Sequence, residues 1–305
     1  MRSPRFVRFF QHLNWATLKT IFQQAGQRRL MGLSAEMAYN AMLALFPAIL
    51  AVLTAIGLFQ SPKSAFEGIA AKLSEVAPQE VLFLIEGFVQ EISLSHNQGL
   101  FSISFIAAIW ASSGALSAAM TALDQIHEIP QSQVRPFWKA KLVSLALTIG
   151  TIVLLITASF VVFISDLIVQ LLVRESGFWE VLSFWRLLSW PLALGIVSIA
   201  SGFVYRYGPS RWVPGTPIMP GAILAAVLWA IVSAGFRLYV ANFGNYNRAY
   251  GAVGAVIVLM LWLYVTSLVL LIGDQLNVTV GDTMRHKTKG KKEASKPIEI
   301  TKSTD

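Results

Sequence analysis

The sequence predicts an all-α membrane protein of six transmembrane helices with both termini in the cytoplasm, and three observations predict it. The 305 residues are 55% hydrophobic and only 13% charged, with a mean hydropathy of +0.61, against roughly 25% charge in soluble domains. Six stretches have the length of about 20 mostly apolar residues that a helix needs to cross the hydrocarbon core, where no exposed backbone amide finds water. Threading the chain through them with the N-terminus inside puts 18 of the 24 Lys and Arg on the cytoplasmic side, leaving +10 inside and −2 outside. That asymmetry is the one the positive-inside rule demands.

Residues 1–33 form a cytoplasmic N-terminal region. Its stretch "RFVRFFQHLNWATLKTIF", 5–22, sets Phe6, Phe9, Phe10, Leu13, Trp15, Leu18 and Phe22 among Arg5, Arg8 and Lys19. The pattern suits an amphipathic helix on an anionic inner leaflet, or equally one packed on the inner ends of the bundle. A basic start before an apolar run is also how signal peptides begin. Here the run starts after about forty residues, spans a bilayer and lacks a small-x-small cleavage site, so it reads as retained.

The membrane domain, 34–282, opens with a span over 38–59. An external loop at 60–99 follows, long for a mere connection. Two segments of helical periodicity divided by Pro78 predict two outer helices. Their acidic faces, with Glu67, Glu75, Glu80, Glu86 and Glu91, are either solvated or a rim for a cationic partner. Spans two to four follow at 100–123, 142–164 and 185–205. The fifth, 218–241, is the weakest, because Pro220 and Gly221 delay its start and Arg237 shortens it. Losing it would put the C-terminus outside. The sixth runs over 251–272. From 283 to 305 the tail is basic and poor in apolar residues, which predicts disorder and attraction to anionic inner-leaflet lipid.

Ionisable and polar groups inside spans are costly and are the first place to look for function. Three helix faces gather them: Glu36, Asn40 and Pro47 on the first span; Ser113, Ser117, Thr121 and Asp124 on the second; Tyr264, Ser267, Asp274 and Asn277 on the last. Three- and four-residue spacing puts each set on one side of its helix. By the predicted orientation Glu36, Asp124 and Asp274 share the cytoplasmic level. Glu36, Asn40, Asp124, Asp274 and Asn277 therefore form a candidate polar cavity or, as readily, an ion-pair layer tying helix ends together. Arg28, Arg29, Arg135, Lys139, Arg206 and Arg211 stand ready as counter-charges. Pro47 and Pro191 each remove a helix hydrogen bond and are candidate kinks. Small residues in "AIWASSGALSAAM" and "YGAVGAVIVL" suit close helix packing. Outside, "YVANFGNYNRAYGAVG" offers an interfacial tyrosine belt, or headgroup recognition by Arg248 with Asn242, Asn245 and Asn247.

Enzymatic signals are poor. His12, His96, His127 and His286 are far apart, with no metal-ligand spacing. There is no phosphate-binding loop, no serine with a nearby His and acid, and no cysteine at all. The sequence calls for no cofactor or metal and no nucleic-acid partner, and it is not the sequence of an enzyme.

Three longer stretches, "SAEMAYNAMLALFPAILAVL" at 34–53, "IWASSGALSAAMTALDQIH" at 109–127 with "RPFWKAKL" at 135–142, and "YGAVGAVIVLMLWLYVTSLVLLIGDQLN" at 250–277, together resemble the YihY/BrkB family of bacterial inner-membrane proteins. The resemblance spans the whole membrane core. It implies six helices with both termini cytoplasmic and an inner-membrane location. It also implies involvement in envelope lipid handling or transport. The family's usual ending is close to G-A-E-L-N; here Asp274 falls where the family has Ala and Gln275 where it has Glu. One residue turns a side chain about 100° around a helix, so the acid faces a different neighbour. Members have been called ribonuclease BN, a label that asks for a metal-binding nuclease cluster this chain does not offer. The leading expectation is therefore a transport protein for a lipid, amphiphile or small solute; the alternative is a non-transporting scaffold of the envelope.

Overall fold

The computed structural model describes residues 15–57, 101–154, 157, 179–242 and 244–293. Among them are seven helices and no strand. They are α1 Trp15–Gln27, α2 Leu30–Gly57, α3 Phe101–Ile126, α4 Phe137–Leu154, α5 Trp179–Tyr207, α6 Met219–Asn242 and α7 Gly244–Glu293. A 3-10 turn at Gln131–Gln133 joins α3 to α4. Four stretches of these helices are long and apolar enough to cross a membrane: Ile106–Ile126, Phe137–Leu154, Met219–Val240 and Val256–Arg285. The expected outer helices in 60–99 lie outside the described residues, as do the expected leaflet contacts of 1–14.

Several polar residues inside these helices are accommodated by the turn before them. The Ser34 hydroxyl donates to the Leu30 carbonyl at 2.7 Å, and Asn40 Nδ2 to the Glu36 carbonyl at 2.9 Å. Ser112, Ser113, Thr121 and Thr148 do the same on α3 and α4. Back-bonding of this kind costs the helix little and spares the membrane an unmet donor.

The long helix α7 is the hub: α1, α2, α3 and α6 all pack on it, while α2 also packs on α3, and α5 on α6. The shared core includes Leu30, Leu33 and Met37 of α2, Ala118, Ala122 and Leu123 of α3, Tyr205 of α5, Ala222 and Ala225 of α6, and Leu271 and Val278 of α7. Alanines recur where helices cross because small side chains allow the backbones to close up, which is how helices associate in lipid. The outward faces remain apolar: Ile106, Ile149, Ile199, Ile231 and Leu238 are all exposed. Lipid, not water, is the solvent that suits them.

Two boundaries differ from the sequence reading. Helix α2 begins at Leu30, not at 38, because Ala, Met, Leu and Glu in the intervening turns all favour helix; Arg29, at φ 54°, marks the break from α1. Helix α7 runs past its apolar span, through Asp274 and Asn277, and on to Glu293, so residues 283–293 are helical where the sequence suggested disorder. Lys, Arg and Glu are good helix formers, and Arg285 holds the extension by bonding Asp282 one turn back and the Thr216 hydroxyl at 3.3 Å. "GDQLN" is thus mid-helix.

α1 resolves the two readings of the N-terminal helix into two faces. Thr17 and Ile21 are buried against the core helices, and Ile21 packs with Leu276 and Val280 of α7. Trp15 and Phe22 point the other way and are 81% and 70% exposed.

Candidate functional site

The charged residues converge at one end of the bundle, where the α1–α2 turn, the end of α3, the 208–217 connection and the middle of α7 meet. At its centre Asp274 of α7 faces His127, just past α3, with Oδ2 2.9 Å from Nε2; each side chain is 2% exposed. Beside them Gln275 is fully buried. Its Oε1 accepts from Arg28 Nη1 at 2.9 Å, and its Nε2 donates to Gln24 and to Thr279 at 2.8 and 2.9 Å. Arg28 also reaches Glu128 Oε1 at 2.7 Å. Arg28 and Glu128 follow the last residues of α1 and α3, so this pair links two helix ends. Glu128 has φ 52°, a left-handed conformation that a residue other than glycine adopts at a cost of about 1 kcal/mol or more.

Asp124, one turn before His127, points into a different network. Its Oδ1 accepts the Ser210 backbone N–H at 2.5 Å and its Oδ2 the Ser210 hydroxyl at 2.6 Å. Arg135 closes the connection from the other side. Its guanidinium donates to the carbonyls of Tyr207, Gly208 and Pro209 at 3.2, 2.7 and 2.6 Å, and its backbone N–H to Ser210 Oγ. Burial lowers the Arg135 pKa from its ordinary value while Asp124 pulls it back up. A planar fork with five donors suits three converging carbonyls; a lysine point charge does not. Arg135→Ala should therefore lower stability by about 2 kcal/mol, the scale of hydrogen bonds to a charged group, and Arg135→Lys should recover less than half of it. Thermal unfolding of detergent-purified variants reads both. Full recovery by lysine would show that charge alone, not the fork, holds the connection.

Asn277, one turn below Gly273, is 1% exposed and serves the backbone of α6. Its Oδ1 accepts from the Gly221 N–H at 2.8 Å and its Nδ2 donates to the Ile218 carbonyl at 3.0 Å. The Gly221 N–H is one of the orphan donors at a helix start, so a side chain from α7 caps α6, while the Ile218 carbonyl also accepts the first helical bond from the Ala222 N–H at 3.1 Å.

Of the five polar residues singled out from the sequence, Asp274 and Asn277 are buried one turn apart on α7, and Asp124 lies nearby in the Ser210 network. Glu36 is exposed on α2, and Asn40 bonds its own helix. Pro47 lies within α2 and Pro191 within α5. Arg248 lies in α7, but its side chain is outside the described residues. The sequence reading named Arg28 as a counter-charge but did not assign its partner, and it missed the roles of His127, Gln24, Gln275 and Thr279. His127 carried one signal: it follows Asp124 by three positions, on the polar face already identified.

A cleft of about 280 Å³ opens beside this network. Ile126 and Val278 form part of its apolar wall, and Arg28, His127, Glu128, Thr216, Asp282 and Arg285 bring polar groups of both signs to it. Among the described residues, no group of three His, Asp or Glu could hold a metal ion.

A bundle of apolar-faced helices with buried polar side chains at one end defines a helical membrane protein. The family described as Virulence factor BrkB matches residues 21–298, and the chain belongs to it. Among curated proteins it is similar to YfkH of Bacillus subtilis, described as ribonuclease-like, with 29% identity over 85% of this chain and 93% of the relative. A UPF0761 membrane protein of Tolumonas auensis is 25% identical over 94% of this chain and 89% of its own length. Another from Aliivibrio fischeri is 27% identical over 88% and 84%. No solved structure matches.

Proposed function

We propose that this BrkB-family protein is a six-span inner-membrane transporter of a lipid, amphiphile or small solute, with both termini cytoplasmic and the charged end of the bundle facing the cytoplasm. The observation that carries the reading is the cleft lined by Arg28, His127, Glu128, Asp282 and Arg285, which abuts the buried His127–Asp274 pair. Cavities with a few convergent polar groups between helices are where bundles bind ligands, and intramembrane ionisable pairs mark substrate or proton paths. The charge asymmetry of the sequence supports the orientation. The exposed Trp15 and Phe22, with Lys19 beside them, support contact of α1 with anionic lipid of the inner leaflet.

The test is translocation in liposomes. With purified protein reconstituted, headgroup-labelled fluorescent phosphatidylglycerol in the inner leaflet should become accessible to dithionite, and Arg28→Ala with Arg285→Ala should slow that access. Protection equal to that in protein-free vesicles ends the amphiphile reading. A scaffold is the second reading, favoured because Asp124 and Asn277 are fully engaged in tying helices together. It expects function to be lost on deleting residues 284–305 and to survive the two arginine changes. Neither reading is enzymatic; the ribonuclease-like description belongs to the Bacillus relative.

A further inference from the structure

A second charged group stands far from this end. Lys141, in the second turn of α4, directs its ammonium at α3, where Nζ donates to Ser113 Oγ at 2.6 Å and to the Trp110 carbonyl at 3.1 Å. It also lies 4.5 Å from the centre of a Trp110 ring. The Ser113 hydroxyl is itself spent on the Trp110 carbonyl at 2.7 Å. Among the described residues no carboxylate meets this amine.

Its depth follows from two fixed levels. Arg135 and Asp124 meet on Ser210 at the charged end. Ser113 lies 11 positions before Asp124 on α3, about 16 Å along the axis at 1.5 Å per residue. On α4, Lys141 lies four positions past Phe137, the first helical residue, about 6 Å, and its extended side chain reaches on toward Ser113. The Lys141 backbone therefore enters the apolar stretch near its charged end, and the ammonium reaches inward from there into a core about 30 Å thick. Lysines near helix ends ordinarily snorkel toward water, and Cα–Cβ bonds tilt toward the helix start. Lys141 does the opposite and reaches inward.

A cation at that depth is costly unless an anion or a polar partner accompanies it, and a lysine has three N–H donors, of which two are placed. The surrounding surface shows what could bring the anion. Ile106, Trp110, Leu142 and Ile149 are exposed and apolar, so a soluble anion would have to cross hydrocarbon unaccompanied. We infer that Lys141, with Ser113 and Trp110, binds the anionic headgroup of a membrane amphiphile, a phosphate or carboxylate whose own acyl chains lie against α3 and α4. Whether that molecule is moved or simply held, the site is the same, so the inference does not depend on transport.

Native mass spectrometry of the full chain released from detergent with phosphatidic acid or phosphatidylcholine tests it. Wild type should retain phosphatidic acid about tenfold better, the scale of one charge-assisted hydrogen bond. Lys141→Met should erase the preference and Lys141→Arg should keep most of it. An unchanged preference in Lys141→Met overturns the site, and displacement of the lipid by millimolar inorganic phosphate overturns its assignment to an amphiphile. Should the methionine variant fail to fold, wild type decides alone. Phosphatidic acid bearing a diazirine near its headgroup should crosslink to 106–113 and 142–149, and labelling confined to other segments rejects the proposal.

Discussion

Replacing Asp274 by alanine should destabilise the protein by about 3 kcal/mol, at the lower end of what removal of one member of a buried pair costs. The reason is what stays behind. His127 is 2% exposed and faces Asp274 Oδ2, so the variant leaves an imidazole Nε2 with neither water nor a carboxylate. His127→Ala strands the carboxylate instead and should cost at least as much, since an unpaired acid is harder to bury than a neutral ring. The double variant should cost less than the two singles added together, because each single change pays for a stranded partner that the double removes. Asp274→Asn should fall between wild type and alanine, keeping a hydrogen bond to the ring but no charge. Equilibrium unfolding of the four proteins in one detergent gives the cycle. Additive losses would mean that the 2.9 Å contact contributes nothing and that Asp274 is held by Arg28 and its helix alone.

The same pair shows where sequence reading reaches its limit. Apolar length read out helices because it acts locally, over one span. The polar residues of α3 and α7 were legible for that reason. Partnership was not legible: His127 and Asp274 are 147 positions apart, and Arg28 and Gln275 are 247 apart. Nothing in a histidine isolated along the chain signals a carboxylate brought up by another helix. Asp124 looked like a companion of Asp274 and instead holds Ser210, while His127, one turn further along the chain, meets Asp274. The span read from 38 starts later than α2, and the span read to 272 stops earlier than α7, for a different reason. Hydropathy marks where lipid stops, whereas a helix stops where its backbone is broken, as at Arg29.

One close backbone approach was also invisible in the sequence, and it yields the second large effect. Small residues stood out at 112–118 and 251–255, yet a crossing with no room for a Cβ joins Gly221 of α6 to Gly273 of α7. A Cβ on Gly221 would run into the Gly273 carbonyl and the Asn277 amide. A Cβ on Gly273 would come within 2.5 Å of the Tyr205 hydroxyl and 2.6 Å of the Gly221 carbonyl. Backbone carbonyls cannot rotate away as a flexible side chain can, so the helices themselves must part. Overpacking of a well-filled core costs about 1–3 kcal/mol and occasionally more, and here parting also breaks the cap of Asn277 on α6 and the 2.6 Å bond from Tyr205 to the Leu270 carbonyl. Gly221→Ala and Gly273→Ala should each therefore cost about 3 kcal/mol, at the top of that range. At Gly114, by contrast, an added Cβ meets nothing within 4 Å, so Gly114→Ala should be neutral or gain from alanine's helix propensity, about 1 kcal/mol over glycine. Melting temperatures of the three variants separate packing from propensity. If Gly221→Ala melts with wild type, α6 and α7 do not cross at this pair, and the capping role of Asn277 goes with it.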